Sequence, residues 1–61
     1  MAVKEMVDKI LDDIGLPESP ARDETVQYCT NLVNEAGVID TDYLSITAGA
    51  FYDGYSKATA A

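Results

Sequence analysis

Cys29 is the residue in this chain whose side chain most readily takes part in chemistry. A thiol attacks substrates as the thiolate, and a nearby histidine is its commonest activating base. The 61-residue sequence holds one cysteine and no histidine. Cys29 also falls on the apolar stripe of a predicted helix, where a buried structural cysteine is the expected role. We therefore expect no nucleophilic catalysis here, and no zinc site, which needs several Cys or His ligands.

The carboxylates are the second candidates for chemistry. Asp12 and Asp13, like Asp23 and Glu24, are adjacent in the sequence. Adjacent side chains on a helix point about 100° apart, so neither pair builds a shared acid–base site. These residues are expected to form a solvated face.

The Asp-Thr-Asp segment at residues 40–42 has the spacing that opens an EF-hand calcium loop. Such a loop also needs an oxygen ligand at its fifth position, glycine at the sixth and glutamate at the twelfth. Counted from Asp40, those positions hold Leu44, Ser45 and Phe51. The segment is therefore interpreted as a helix N-cap, supplied by Asp40 or Thr41. We expect no metal and no cofactor.

The segment VDKILDDIGL, residues 7–16, resembles the first helix of an acyl carrier protein. That family is small, acidic and helical, and it carries its prosthetic group on the serine of an Asp-Ser-Leu motif. This sequence contains no such tripeptide. The resemblance therefore implies no function for this chain, and with no catalytic motif we expect that the protein is not an enzyme.

The charge balance limits the possible partners and locations. Eleven acidic and four basic residues give a net charge of −7, which disfavours direct binding to nucleic acid or to anionic membrane surfaces. No apolar run approaches the ~18 residues of a membrane span, and the N-terminus lacks the pattern of a signal peptide. We expect a cytoplasmic, intracellular protein, and a single cysteine fits a reducing compartment.

Three amphipathic helices are predicted, at about 2–14, 20–36 and 41–57, followed by a frayed tail at 58–61. The first has apolar residues at steps of three and four, namely Val3, Met6, Val7, Ile10, Leu11 and Ile14. Its predicted stop is Gly15, and Gly37 is the predicted stop of the second helix.

The second helix is predicted to begin with Ser19 as its N-cap and Pro20 in its first turn. Its inner stripe consists of Val26, Cys29, Leu32, Val33 and Ala36. Val38 and Ile39 are expected to form an apolar corner after it. Short connections favour antiparallel neighbours, so the prediction is one all-α domain, a compact three-helix bundle or three-helix array.

The third helix carries two apolar stripes. One is assigned to the core and consists of Leu44, Ala48, Phe51 and Tyr55. The other lies roughly 130° around the helix and consists of Tyr43, Ile46, Ala50 and Gly54, with Tyr52 at the rim. Two interpretations stay open: the second stripe is either a wide arc of the core or an interface.

The sequence favours a non-enzymatic interaction or assembly module. It would dock Tyr43, Ile46, Ala50, Tyr52 and Gly54 on a copy of itself or on a helix of another protein, and an oligomer is one possible result. The alternative is an acidic inhibitor or decoy of a basic nucleic-acid-binding protein. In both cases, a chain this small is compatible with a viral accessory or mobile-element protein. Salt separates the two hypotheses, because only the decoy depends on exposed charge.

Overall fold

The computed structural model describes residues 2–60, without the side chains of residues 59 and 60. The chain forms three helices, α1 (Val3–Asp13), α2 (Pro20–Ala36) and α3 (Thr41–Ala60). Each helix contacts the other two. The prediction of an all-α three-helix bundle is therefore confirmed. No helix within residues 2–60 combines the length and apolar character that a membrane crossing requires.

The ends of α2 follow the predicted capping residues. Ser19 Oγ accepts a hydrogen bond of 3.2 Å from the backbone N–H of Arg22. At the other end Gly37 has φ of +69°, the left-handed conformation that glycine adopts without steric cost. The N–H groups of Gly37 and Val38 both donate to the carbonyl of Leu32, that of Val38 at 3.3 Å, and so satisfy one of the last carbonyls of the helix.

Of the two candidate N-caps of α3, Asp40 and Thr41, the structure shows Asp40 in that role. The carboxylate of Asp40 accepts hydrogen bonds from the backbone N–H groups of Asp42, at 2.9 Å, and Tyr43, at 3.3 Å. Two N–H groups of the first turn are thereby satisfied.

The end of α3 departs from the prediction. The helix runs to Ala60, three residues past the predicted end at about 57. Alanine is the best helix former, and Lys57 pairs with Asp53 one turn earlier at 3.1 Å, so the last turns stay favourable. Ala61 lies outside the described residues.

The core lies where the three helices meet, and α1 supplies its largest share. The buried residues of the core are Val7, Ile10, Leu11, Val26, Cys29, Leu44 and Ala48. From the predicted inner stripe of α2, Leu32 and Val33 are only partly buried and Ala36 is exposed, whereas Ala21 and Thr25 are buried instead. The N-terminal half of α2 is therefore the half that faces the core.

Candidate functional site

The second apolar stripe of α3 lies on the surface of the chain. Tyr43 is 53% exposed and Ile46 is 75% exposed, and Ala50 and Gly54 are exposed as well. These four residues are called the α3 face below. The interpretation that they form a wide arc of the core is wrong, because α1 and α2 both pack on the other side of the helix.

The core side of α3 fixes which residues point outward. Leu44 and Ala48 are completely buried. One turn further, the ring of Phe51 stacks on Tyr28 of α2 with centroids 4.6 Å apart and planes 7° apart, and Tyr55 lies 6.1 Å from Phe51. Phe51 and Tyr55, predicted as core residues, are half-buried. Together these contacts set the rotation of α3 about its axis, and so direct Ile46 to solvent.

The glycines of α3 have no packing role within the chain. A Cβ built on Gly49 or Gly54 meets no side chain and no neighbouring element of the described residues within 4 Å. Neither glycine has a positive φ angle. Since glycine inside a helix costs about 1 kcal/mol relative to alanine, the fold itself gives no reason for either residue.

Tyr52 does not belong to the α3 face. It lies about 160° around the helix from Ala50 and is half-buried. With Tyr55 it lines a shallow groove whose other wall is Pro20 and Ala21, at the start of α2. Of the five predicted interface residues, the structure therefore places four together and sets Tyr52 apart.

The connection before α3 also carries an exposed apolar residue. Ile39 is 79% exposed, while its neighbour Val38 packs against the core. The predicted apolar corner therefore divides, with Val38 inside and Ile39 outside.

Arg22 is the polar residue whose role the sequence did not indicate. Its side chain is 11% exposed and lies within 2.8 Å of the carboxylate of Asp12 and 3.9 Å of that of Asp8. The guanidinium also donates to the backbone carbonyl of Leu16 at 2.7 Å and of Asp8 at 3.2 Å. Asp12, expected on a solvated face, is thus half of an ion pair between α1 and α2, although its side chain stays 69% exposed.

A groove of about 940 Å³ runs between α1 and α2 beside this ion pair. Charged and polar side chains of both signs line it, including Lys4, Glu18 and Asp23. The hydroxyl of Thr30 is buried there without a hydrogen-bond partner. Within the part of the chain that the structure describes, no group of three or more potential metal ligands comes together.

Cys29 is a buried free thiol. It is only 1% exposed, and desolvation raises its pKa above the ordinary value. A raised thiol pKa disfavours the reactive thiolate at neutral pH, so this residue serves the core.

Comparisons with protein-family models, with curated proteins and with solved structures give no match to this chain. No partner or activity is therefore carried over from a relative. The α3 face is the candidate functional surface considered below.

Proposed function

We propose that this protein is a non-enzymatic interaction or assembly module that docks its α3 face on a helix of a protein partner, either a second copy or another protein. The observation that carries the proposal is the exposure of Ile46, 75%, next to Tyr43, 53%. Ala50 and Gly54 continue the same face for two further turns with little side-chain bulk. A partner backbone can approach closely there.

The energetics support docking at this position. Burying an isoleucine side chain completely contributes about 1.5–3 kcal/mol. Because Ile46 is mostly exposed in the free chain, most of that free energy would be gained only when a partner covers it. Tyrosine is enriched in interface cores, because it buries a large ring and keeps a polar hydroxyl for the rim. A single exposed apolar residue needs no explanation, but here Tyr43 and Ile46 lie one turn apart on the same side of the same helix.

The remaining side chains favour binding over catalysis. The one thiol is buried, and the carboxylates of Asp8 and Asp12 are engaged by Arg22. The net charge of −7 favours a protein partner over a phosphate backbone. We place the module in the cytoplasm, where a single unpaired Cys29 stays reduced.

Site-specific photo-crosslinking in the native cell tests the proposal. A photoreactive residue replaces Ile46 in one variant and Glu35, exposed on α2, in the control. We expect a discrete adduct from position 46 that disappears when Tyr43→Asp is added, and none from position 35. Equal adducts from both positions, or no discrete adduct from position 46, would contradict docking through α3.

The acidic decoy is the rival function, and salt separates the two. Between about 0.01 and 1 M salt the Debye length falls from about 30 to 3 Å. When a cell lysate is adjusted to each salt concentration before irradiation, docking through Tyr43 and Ile46 should survive that change, and the adduct should still form. An adduct with a basic protein that vanishes at high salt would favour the decoy. The decoy is the weaker proposal, because Arg22 already neutralises part of the acidic surface of α1.

A further inference from the structure

We propose that the occupant of the α3 face is a second copy of this chain, packed antiparallel about a twofold axis that passes near Ala50. This inference rests on the proposed function, because it requires that the α3 face is a docking surface. It goes further by naming the partner and the orientation.

The side chains along the face are large at one end and small at the other, so an antiparallel copy sets large residues against small ones. The bulky residues, Tyr43 and Ile46, occupy the N-terminal half, and the small residues, Ala50 and Gly54, occupy the centre and the C-terminal half. An antiparallel copy centred on Ala50 places Ile46 opposite Gly54, where the chain itself leaves open space. A parallel copy would set Ile46 against Ile46 and leave a gap between the two Gly54 positions.

The charges favour the same orientation. Lys57 lies one turn beyond Gly54 on the same side of α3, and its ammonium group pairs with Asp53 at 3.1 Å, with both side chains more than two-thirds exposed. Such an exposed pair is weak, so the ammonium is available to a partner. Antiparallel packing brings Lys57 level with Tyr43 of the second copy and beside its Asp42, allowing a cation–π contact or an ion pair. Parallel packing would place Lys57 against Lys57.

The size of the face sets the expected strength of the dimer. The contact runs from Tyr43 to Lys57, about 21 Å along the helix, and a helix is about 10 Å wide, so the contact covers roughly 200 Å² of projected area. Stable complexes usually bury about 800 Å² on each partner. Two chains of charge −7 also repel each other. The dimer is therefore weak, and added salt should strengthen it by screening the repulsion.

Two glycine variants test the proposal against a matched control. Gly49 lies about 100° around α3 from Ala50, off the face, and a Cβ added there would meet open space, as it would at Gly54. At concentrations where the chain is monomeric, Gly49→Ala and Gly54→Ala should each raise the melting temperature by about 4–8 °C through helix propensity. Only Gly54→Ala should weaken dimerisation, by at least tenfold in Kd, because its methyl group occupies the space that Ile46 of the second copy needs.

Crosslinking between cysteine variants tests the orientation. In an antiparallel dimer, Tyr43→Cys and Lys57→Cys chains mixed together should crosslink to each other through a short bis-maleimide. Each variant alone should not crosslink, since the two copies of position 43 are 14 residues apart along the pair, about 21 Å. The unmodified chain, with its buried Cys29, is the control.

Sedimentation equilibrium up to about 1 mM, the regime of a weak complex, completes the test. The proposal is supported if the average mass rises with concentration, if Gly54→Ala lowers that mass, and if the cysteine variants crosslink only when they are mixed. A monomer at every concentration overturns it, while an adduct between position 46 and a different protein would leave the proposed function standing. A dimer that crosslinks through Tyr43→Cys alone overturns the antiparallel orientation. A dimer indifferent to both Gly54→Ala and Ile46→Asp overturns this inference and the proposed function together.

Discussion

Replacing Arg22 with methionine should destabilise the bundle more than neutralising any other charged residue of α2. Methionine keeps an apolar stem of similar length in the same position and removes the guanidinium. The substitution therefore isolates the polar contacts of Arg22 from its packing. Those contacts join the end of α1 and the connection after it to the first turn of α2.

The magnitude follows from the individual contacts. The bond from the guanidinium to the carbonyl of Leu16 is short, 2.7 Å, and bonds of this charged type contribute about 1.5–3 kcal/mol. The bond to the carbonyl of Asp8 is longer, 3.2 Å, and counts for less. The ion pair with Asp12 adds at most about 1 kcal/mol, because that carboxylate is 69% exposed. We expect a loss of about 2–4 kcal/mol, against a net stability of about 3–5 kcal/mol for a core of this size.

Urea unfolding followed by circular dichroism measures this loss, with protein concentration kept low enough that the chain is monomeric. Arg22→Met should leave a substantial fraction of the chain unfolded without denaturant. Asp12→Asn is the matched control. It removes the ion pair but keeps both bonds to carbonyls, and should cost less than about 1 kcal/mol. Arg22→Lys should fall between the two, since an ammonium cannot serve several acceptors with a planar fork.

Two results would refute this reasoning. If Arg22→Met is neutral within about 0.5 kcal/mol, the cost of desolvating the guanidinium offsets everything its bonds contribute, as happens for some buried ion pairs. If Asp12→Asn costs as much as Arg22→Met, the exposed carboxylate, and not the carbonyl of Leu16, is the contact that matters.

Three further predictions concern the core, the cap and the thiol. Leu44→Asp should unfold the chain. Ile46→Asp, on the exposed side of the same helix, should change the free energy of unfolding of the monomer by less than about 0.5 kcal/mol. If both variants lose a similar amount of stability, Ile46 belongs to the core. Asp40→Ala should cost about 1 kcal/mol through loss of the cap on α3, measured by urea unfolding, and an unchanged midpoint would contradict that role. Burial raises the pKa of the Cys29 thiol, so the folded chain keeps this proton at a pH where the unfolded chain, with a pKa of about 8.5, has lost it. Stability should therefore decline as the pH rises above about 8.5, and this decline should be smaller in Cys29→Ala.

The local features of the fold could be predicted because they depend on residues close in sequence. The apolar period of α1, the cap at Ser19 and the stop at Gly37 each involve partners within a few residues. The predicted end of α3 is too early, because a run of small residues gives little periodic signal even where it is strongly helical.

The features that could not be predicted depend on how the helices are oriented against one another. Arg22 is paired with a residue of another helix, Asp12, and only the crossing of α1 and α2 brings the two together. Ala36 repeats the spacing of the inner stripe but lies past the contact with α1 and α3. The sequence assigned one stripe of α3 to the core but left open whether the second stripe is also covered, and the burial of Leu44 and Ala48 with the stacking of Phe51 on Tyr28 leaves the second stripe exposed.

The two sides of α3 share one spacing, a branched aliphatic residue followed four positions later by alanine. On the inner side this pair is Leu44 and Ala48, both completely buried against the other two helices. On the outer side it is Ile46 and Ala50, both exposed. The inner pair shows that this helix seats other helices with that spacing. The outer pair offers the same geometry to a helix from outside the chain, and the unneeded glycine at position 54 extends it by one turn. The stability of the monomer alone would favour alanine at Gly54 and a polar residue at Ile46, and under the proposed function both residues serve the bound partner.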